Sequence, residues 1–306
     1  LRGLGLQPVI LTRVGNDEPG REVHDRLKRS NLDLTGLQVD PDHPTGRVQV
    51  RFEGETGDDP QYEIVAEQAY DFLDPQRAVE ATAAASPVLY HGTLALRGPS
   101  RDAWSAVRDA LSARPGFLRF VDVNLRDPGW TADAVRDQIR GANWLKLNSA
   151  ELVALRPQSR RTPAAETASS QDELVAAVAE LREDLSLGNV LLTRGADGVL
   201  LVGSDEVADP SGQPTLWHHH RPGVGNVASA AAAPIPPDRF VDAVGAGDAF
   251  AAVAILGVCR GWASAVTIRR GVELAAAVCG LRGALPSDPD TFYESWRVRW
   301  EQSIDE

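Results

Sequence analysis

The sequence predicts an α/β protein whose mostly parallel sheet is covered by helices on both faces. Apolar runs of strand length alternate with helical patterns along the chain, as is typical of strands buried on both faces. The composition, 43% hydrophobic and 24% charged residues, is that of a soluble globular protein. A chain of 306 residues can bury a substantial core as one large domain or two ordinary ones.

The strand and helix patterns predict the following elements in chain order. The predicted strands are Val9–Val14, Val88–His91, Phe117–Val123, Trp144–Leu147, Val190–Thr193 and Val199–Val202. The predicted helices are Arg21–Ser30, Arg101–Ala113, Asp172–Leu185, Gly247–Cys259 and Ala263–Gly280.

The segment Gly46–Val65 has a different pattern. Residues 47–52 alternate polar and apolar, residues 54–60 carry turn residues, and a second short run follows. Such alternation indicates a strand with one solvated face. We therefore expect a β-hairpin here.

Two segments lack a regular pattern. Arg156–Gln171 is rich in Pro, Ser, Thr and Arg, which predicts a mobile surface loop. Gly203–Arg239 is predicted to be a second, unusually long loop, and its histidine triplet 218–220 is interpreted as part of a solvated loop, not a metal site. Residues 223–228 fit a dinucleotide-binding pattern, but the predicted loop context lacks the strand and helix that this fingerprint needs. A dehydrogenase is rejected on that ground.

The net charge limits the kinds of partner, and the cysteines indicate the cellular compartment. The net charge is −12, which argues against nucleic acid or an anionic membrane surface as a partner. No apolar run approaches the roughly 20 residues that span a bilayer. Cys259 and Cys279 lie in Ala-rich helical stretches without metal spacing, so we predict that both pack in the core of a cytoplasmic protein.

The most informative segment is Val241–Phe250, which places two glycines and two aspartates in a turn before a long apolar helix. Gly245 and Gly247 allow backbone N–H groups to approach a ligand, and the helix start adds the positive end of a dipole. Such a turn suits a phosphate in transfer. A carboxylate beside an anion is electrostatically unfavourable, so its presence there indicates a function. For Asp248 that function would be a general base that accepts a hydroxyl proton. The alternative for this spacing alone is a helix N-cap.

The whole segment resembles the C-terminal motif of the ribokinase-like (PfkB) sugar kinases, Asp-Thr-x-Gly-Ala-Gly-Asp, and departs from it at Ala243, where the family usually has Thr. Four more segments resemble motifs of that family in the family's order. They are Val14–Gly20, Asp122–Arg126, Asn148–Glu151 and Thr193–Gly198.

The resemblance implies a ribokinase-like three-layer α/β/α sandwich with a mostly parallel sheet and a small β lid. Residues 1–41 and 67–306 would form the catalytic domain, and residues 42–66 part of the lid, through which a homodimer could form. The implied activity is transfer of the γ-phosphoryl group of ATP, with Mg²⁺, to a hydroxyl of a small sugar. K⁺ is implied as a further ion.

The family motifs also imply roles for residues of this chain. Gly245, Ala246 and Gly247 would form an anion hole, Asp248 would be the base, and Asp242 would hold the monovalent cation. Asn148 and Glu151 would form an outer shell for Mg²⁺, although a helix cap is the other interpretation. Thr193, Gly195 and Gly198 would bind nucleotide phosphates, although two such glycines alone indicate a hairpin turn. Gly92, Asn124 and Arg126 would bind the sugar, with a surface ion pair as the alternative for Arg126.

The expected substrate is fructose, because His91–Arg97 and Asn124–Trp130 are more similar to fructokinases than to ribokinases or adenosine kinases. The alternatives are a 2-keto-3-deoxygluconate kinase and a non-catalytic sugar- or nucleotide-binding relative. Asp248 argues against the last, because a pure binder needs no base beside a phosphate.

The first strand and the Gly-Gly turn of the family do not precede Val14–Gly20 in this sequence. The resemblance therefore implies that a few dozen residues are missing before Leu1. On that expectation, residues 1–306 bind Mg·ATP but phosphorylate fructose poorly.

Overall fold

The computed structural model describes residues 1–53, 59–126, 130–157, 170–203, 216–221 and 225–302. Contacts divide the chain into two compact units. Unit 1 consists of Leu1–Leu6 and Ile139–Glu306, and unit 2 consists of Gln7–Gln138.

Unit 2 contains two parallel strand pairs and one hairpin. Its elements are β1 (Thr12–Gly15), α1 (Glu18–Arg29), β2 (Leu37–Asp40), β3 (Val48–Glu53), β4 (Asp59–Ile64), α2 (Pro75–Ala81), β5 (Val88–Gly92), α3 (Ser100–Ser112) and β6 (Leu118–Asp122), followed by α4 (Ala132–Ile139) at the boundary. Strand β1 pairs with β2 and β5 with β6 in parallel, whereas β3 and β4 form an antiparallel pair. The predicted hairpin is therefore confirmed.

Unit 1 contains one parallel strand pair extended by antiparallel strands. Its elements are β7 (Trp144–Asn148), α5 (Ser149–Leu155), α6 (Gln171–Asp184), β8 (Asn189–Thr193), β9 (Val199–Gly203), β10 (Leu216–Arg221), β11 (Gly225–Ala230), α7 (Ala246–Arg260), α8 (Ser264–Val278) and α9 (Pro289–Gln302). Strands β7 and β8 are parallel, and the antiparallel pairs β8–β9, β9–β11 and β11–β10 follow. The α/β class with parallel strands is confirmed.

Burial explains why the strands of unit 1 are apolar runs in the sequence. Leu145 and Leu147 of β7 and Val190, Leu191 and Leu192 of β8 are fully buried, as expected for strands covered on both faces. Helices α7 and α8 pack against each other, and with α9 they surround a second cluster that contains Leu4, Val253, Leu256, Leu274 and Trp300. This packing fixes the middle of α7 against α8 and α9.

Every predicted strand and helix overlaps an observed one, but two other predictions are wrong. The segment Gly203–Arg239 contains strands β10 and β11, so the histidine triplet lies in a strand and not in a loop. Its small residues have weak strand propensity, and pairing with β9 overrides that preference. The described part of the glycine pattern, residues 225–228, lies in β11 and not in a helix, so the dehydrogenase remains rejected.

The other wrong prediction concerns the cysteines. Cys279 is buried, but Cys259 is exposed because it lies in the last turn of α7. Most of the predicted loop Arg156–Gln171, residues 158–169, lies outside the described residues. The proposed boundaries between catalytic domain and lid stay predictions. In the described part of the chain, no helix is both long and apolar enough to cross a membrane.

Candidate active site

The turn before α7 requires glycine. Gly245 has φ +84° and ψ −7°, in the left-handed region, and a Cβ on it would lie 2.7 Å from the Cα of Ala284. The backbone N–H of Ala246 donates to the carbonyl of Ala243 at 3.2 Å. The first N–H groups of a helix have no acceptor within the helix. Because the N–H of Ala246 is engaged in the turn, the N–H groups of Gly245 and Gly247 remain as candidate donors to an anion.

Asp248 lies in the first turn of α7 and is exposed. Its carboxylate makes no hydrogen bond or ion pair with the residues that the structure describes. The N-cap interpretation of Asp248 is wrong, because Gly245 is the N-cap residue of α7, no side chain caps this helix, and Asp248 is its third residue. The helix dipole still favours a carboxylate at that position. Its freedom from partners leaves it able to accept a proton from a substrate.

Lys146 lies outside the family motifs and adds a positive charge to this turn. Its side chain is only 8% exposed in β7, and its Nζ lies 3.6 Å from the position that a Cβ would occupy on Gly247. A lysine within an apolar strand is the sequence signal for such a role, because lysine is seldom buried without a partner. The ammonium and the helix N-terminus together favour an anion at this place.

Asn148 and Glu151 form a reciprocal cap at the start of α5. The N–H of Glu151 donates to Asn148 Oδ1 at 2.9 Å, and the N–H of Asn148 donates to Glu151 Oε2 at 2.8 Å. The helix-cap interpretation is therefore confirmed. Register also places Asn148 opposite Thr193 at the carboxyl ends of β7 and β8. The structure thus brings two of the predicted nucleotide residues together.

Thr193, Gly195 and Gly198 form the β8–β9 hairpin turn. Gly195 and Gly198 both have positive φ, +57° and +82°, and a Cβ on Gly198 would lie 2.1 Å from the carbonyl oxygen of Ala230. The Thr193 hydroxyl donates to the carbonyl of Leu147 at 3.3 Å. The hairpin interpretation is confirmed, and binding of nucleotide phosphates by this turn stays a prediction.

Asp242 connects the glycine turn to the loop that follows α8. Its Oδ1 accepts from the N–H of Val244 at 2.8 Å, and its Oδ2 accepts from the N–H of Gly283 at 3.0 Å. These two hydrogen bonds, the one from Gly283 first, lower the pKa of the Asp242 carboxyl below its usual range. The aspartate therefore orders the loop that presents Gly245 and Gly247.

A cation bound at Asp242 would strengthen that ordering. If Asp242 holds a monovalent cation, as the family motif implies, the rate of phosphoryl transfer should rise when K⁺ replaces tetramethylammonium at constant ionic strength, because the methyl groups of tetramethylammonium prevent direct coordination by a carboxylate. Asp242→Asn should abolish this difference. A rate that does not respond to the cation would leave Asp242 with only a structural role.

The Val14–Gly20 motif has a structural explanation within unit 2. Asp17 caps α1 by accepting from the N–H of Gly20 at 2.9 Å, and it also accepts from the N–H of Thr45 at 2.9 Å. A Cβ on Gly15 would lie 2.6 Å from the nitrogen of Thr45, and one on Gly20 would lie 2.2 Å from the oxygen of Gly15. The motif thus packs the start of α1 against the chain that leads into β3.

The predicted sugar residues lie at the carboxyl ends of β5 and β6. Gly92 ends β5 and pairs with Asp122 of β6. The hydroxyl of Thr93 donates to the carbonyl of Asn124 at 2.7 Å, which draws the two strand ends together. Asn124 and Arg126 then line a cavity of about 190 Å³ within unit 2.

The comparisons with known proteins agree with this architecture. A putative ribokinase II from E. coli, solved with ATP and Mg²⁺, is 18% identical and has a TM-score of 0.68 over 97% of this chain and 85% of that chain. Fructokinase from Vibrio cholerae O395, solved with fructose, ADP and calcium, is 23% identical with a TM-score of 0.63 over 92% and 82%.

Aminoimidazole riboside kinase from Salmonella enterica, solved with aminoimidazole riboside and an ATP analogue, is 19% identical with a TM-score of 0.66 over 96% of this chain and 87% of that one. At these identities the likeness is one of fold. No curated protein sequence matches the chain. Residues 1–291, however, match the pfkB family carbohydrate kinase profile. The chain therefore belongs to the pfkB family of carbohydrate kinases.

Proposed function

We propose that this chain transfers the γ-phosphoryl group of ATP to a hydroxyl of a small sugar. The observation that carries the proposal is the start of α7. A turn that requires glycine at position 245, the buried Lys146 and Asp248, which has no partner among the described residues, lie together there. Phosphoryl transfer needs positioning and neutralisation of charge more than covalent chemistry. This turn supplies both, and it adds a base.

Each group at the turn has a separate task. The N–H of Gly247 and the ammonium of Lys146 would hold the oxygens of the phosphoryl group as negative charge develops on them. Asp248 would accept the proton of the attacking hydroxyl. Asp242 would stabilise the turn through the hydrogen bonds that it accepts from the N–H groups of Val244 and Gly283.

The residues present fit a magnesium ion that is held mainly by phosphate oxygens. Among the described residues no group of three or more acidic, histidine or cysteine side chains could enclose a metal, and Mg²⁺ with nucleotides is usually bound by one or two carboxylates and several waters. Asn148 and Glu151 lie at the carboxyl end of β7 and the start of α5, where their side-chain oxygens would accept hydrogen bonds from metal-bound waters. The ion would neutralise charge on the nucleotide phosphates.

Fructose is the acceptor that we propose first, on the similarity of residues 91–97 and 124–130 to fructokinases. A second acceptor, the sugar acid 2-keto-3-deoxygluconate, is favoured by the arginine side chains of the cavity in unit 2. A cytoplasmic location and a homodimer through the β3–β4 hairpin are further parts of the proposal.

The test is release of ADP from Mg·ATP by this chain across a panel of fructose, ribose, 2-keto-3-deoxygluconate and adenosine. We expect release that depends on one sugar acceptor and saturates with it. Release at the same rate without an acceptor would indicate an ATPase, and no release with any acceptor would support the non-catalytic alternative.

A further inference from the structure

The segment Leu1–Leu6 and helix α9 are far apart in the sequence but pack against each other in unit 1. We call the two together the α9 latch. Arg2 Nη1 donates to Asp290 Oδ1 at 2.7 Å, but this ion pair is exposed and contributes little. Leu4 and Trp300, by contrast, are only 2% and 4% exposed. The latch is therefore held mainly by apolar packing.

The contact is tightest at Gly3. A Cβ on Gly3 would lie 2.4 Å from Cδ2 and 3.0 Å from Cβ of Tyr293. Because the Cβ of Tyr293 moves only with the backbone of α9, a side chain at position 3 would displace Tyr293 and push α9 away from the segment Leu1–Leu6. Gly3 has no positive φ among the glycines of the structure, so this restriction comes from packing and not from its backbone conformation.

A buried arginine attaches the other end of α9 to α8. Arg270 is 4% exposed, and its Nη2 donates to the carbonyl of Trp300 at 2.9 Å. The last four carbonyls of a helix have no partner within the helix, so this bond satisfies one of them. The guanidinium also lies 4.2 Å from the ring centroid of Trp262. Helix α9 is thus fixed at both of its ends.

The α9 latch packs against one face of α7. The residues of α7 that belong to the same apolar cluster as Leu4 are Ala249, Ala252, Val253 and Leu256. Their spacing is i, i+3, i+4 and i+7, which places them on one side of the helix. Ala249 directly follows Asp248 in the first turn of α7. The cluster therefore extends along α7 to the turn that carries the proposed base.

We propose that Gly3, Leu4 and Tyr293 are positioning residues, which act through α7 on the location of Asp248. A close-packed interior transmits a displacement of one helix to its neighbour, and an error of about 1 Å at a reacting group can cost about 10²-fold in rate. The α9 latch thus sets the place from which Asp248 meets its substrate. This inference rests on the proposed function, since it assigns how that site is held.

Replacing Gly3 with alanine tests the proposal by steric insertion. We expect kcat to fall roughly 10-fold to 10²-fold, while KM for Mg·ATP changes less, because Asp248 moves relative to the bound nucleotide. Rates are measured well below the thermal midpoint of each variant, with circular dichroism to show that the chain is folded. Leu4→Val, which removes one buried methylene, is a milder second variant and should change kcat in the same direction.

A second substitution should rescue the first. Tyr293→Ala removes the ring that the new methyl group meets, so Gly3→Ala/Tyr293→Ala should have a higher kcat than Gly3→Ala alone. Glu294→Ala changes the next residue of α9, which is exposed, and should leave kcat and KM as in the wild type. A double variant no more active than Gly3→Ala would contradict the proposed route through α9.

Amide hydrogen exchange of residues 246–256, followed by mass spectrometry, tests the coupling without an assay of activity. Gly3→Ala should speed exchange in this part of α7, and the double variant should slow it again. Unchanged exchange there, or an unchanged kcat in both Gly3→Ala and Leu4→Val, would overturn the proposal even if the thermal midpoint falls. Faster exchange in a chain that transfers no phosphoryl group would contradict the kinase activity alone.

Discussion

Replacing Asp248 with asparagine is expected to lower kcat by roughly 10²-fold or more, the range for loss of a general base. Asparagine keeps the size and the hydrogen-bonding capacity of the side chain, but it cannot accept a proton at neutral pH. Because Asp248 is exposed and has no partner among the described residues, the fold should be unaffected. Steady-state rates with saturating Mg·ATP and acceptor measure the effect.

The control for this change is Asp238→Asn, which removes an exposed carboxylate in the same unit but outside the glycine turn. It should leave kcat and KM unchanged. Affinity for Mg·ATP should be similar in wild type and in both variants. A kcat of Asp248→Asn close to that of the wild type would remove Asp248 from the mechanism.

Replacing Lys146 with methionine is expected to lower kcat by roughly 10²-fold to 10³-fold, the cost of losing one group that stabilises charge in a transition state. Methionine has a similar length and suits a buried strand position, so the variant should remain folded. Lys28 is the other lysine in the sequence, and it is exposed on α1. Lys28→Met therefore controls for loss of an ammonium group.

The two lysine variants separate catalysis from simple charge effects. If the ammonium acts at the turn before α7, only Lys146→Met loses turnover, and it does so while it remains folded by circular dichroism. An unchanged kcat in Lys146→Met would mean that the proximity to Gly247 has no catalytic consequence.

Much of the architecture could be predicted from the sequence because the relevant signals are local. The apolar runs of β7, β8 and β9 are bounded by turn residues. The helix that begins near Gly247 follows a turn in which the positive φ of Gly245 requires glycine. Such signals do not depend on distant parts of the chain.

The failures have a different physical origin. Strand β11, with the small residues 228–230, is held as a strand by its pairing with β9 and β10, and tertiary pairing of this kind leaves little trace in local propensity. The position of Lys146 beside Gly247 also depends on long-range packing, because it is set by how β7 lies against α7. The cavity of unit 2 is lined by side chains from α3 and from the segment after β6, whose proximity no motif indicates.

The most direct test of the central claim is ³¹P nuclear magnetic resonance of this chain with Mg·ATP and each acceptor of the panel. The account predicts that the γ-phosphoryl resonance of ATP declines while a phosphomonoester resonance of one sugar and the resonances of ADP rise in equal amounts, and that Asp248→Asn slows all three changes together. Formation of inorganic phosphate in place of a sugar phosphate, or an ATP spectrum that does not change with any acceptor, would contradict it.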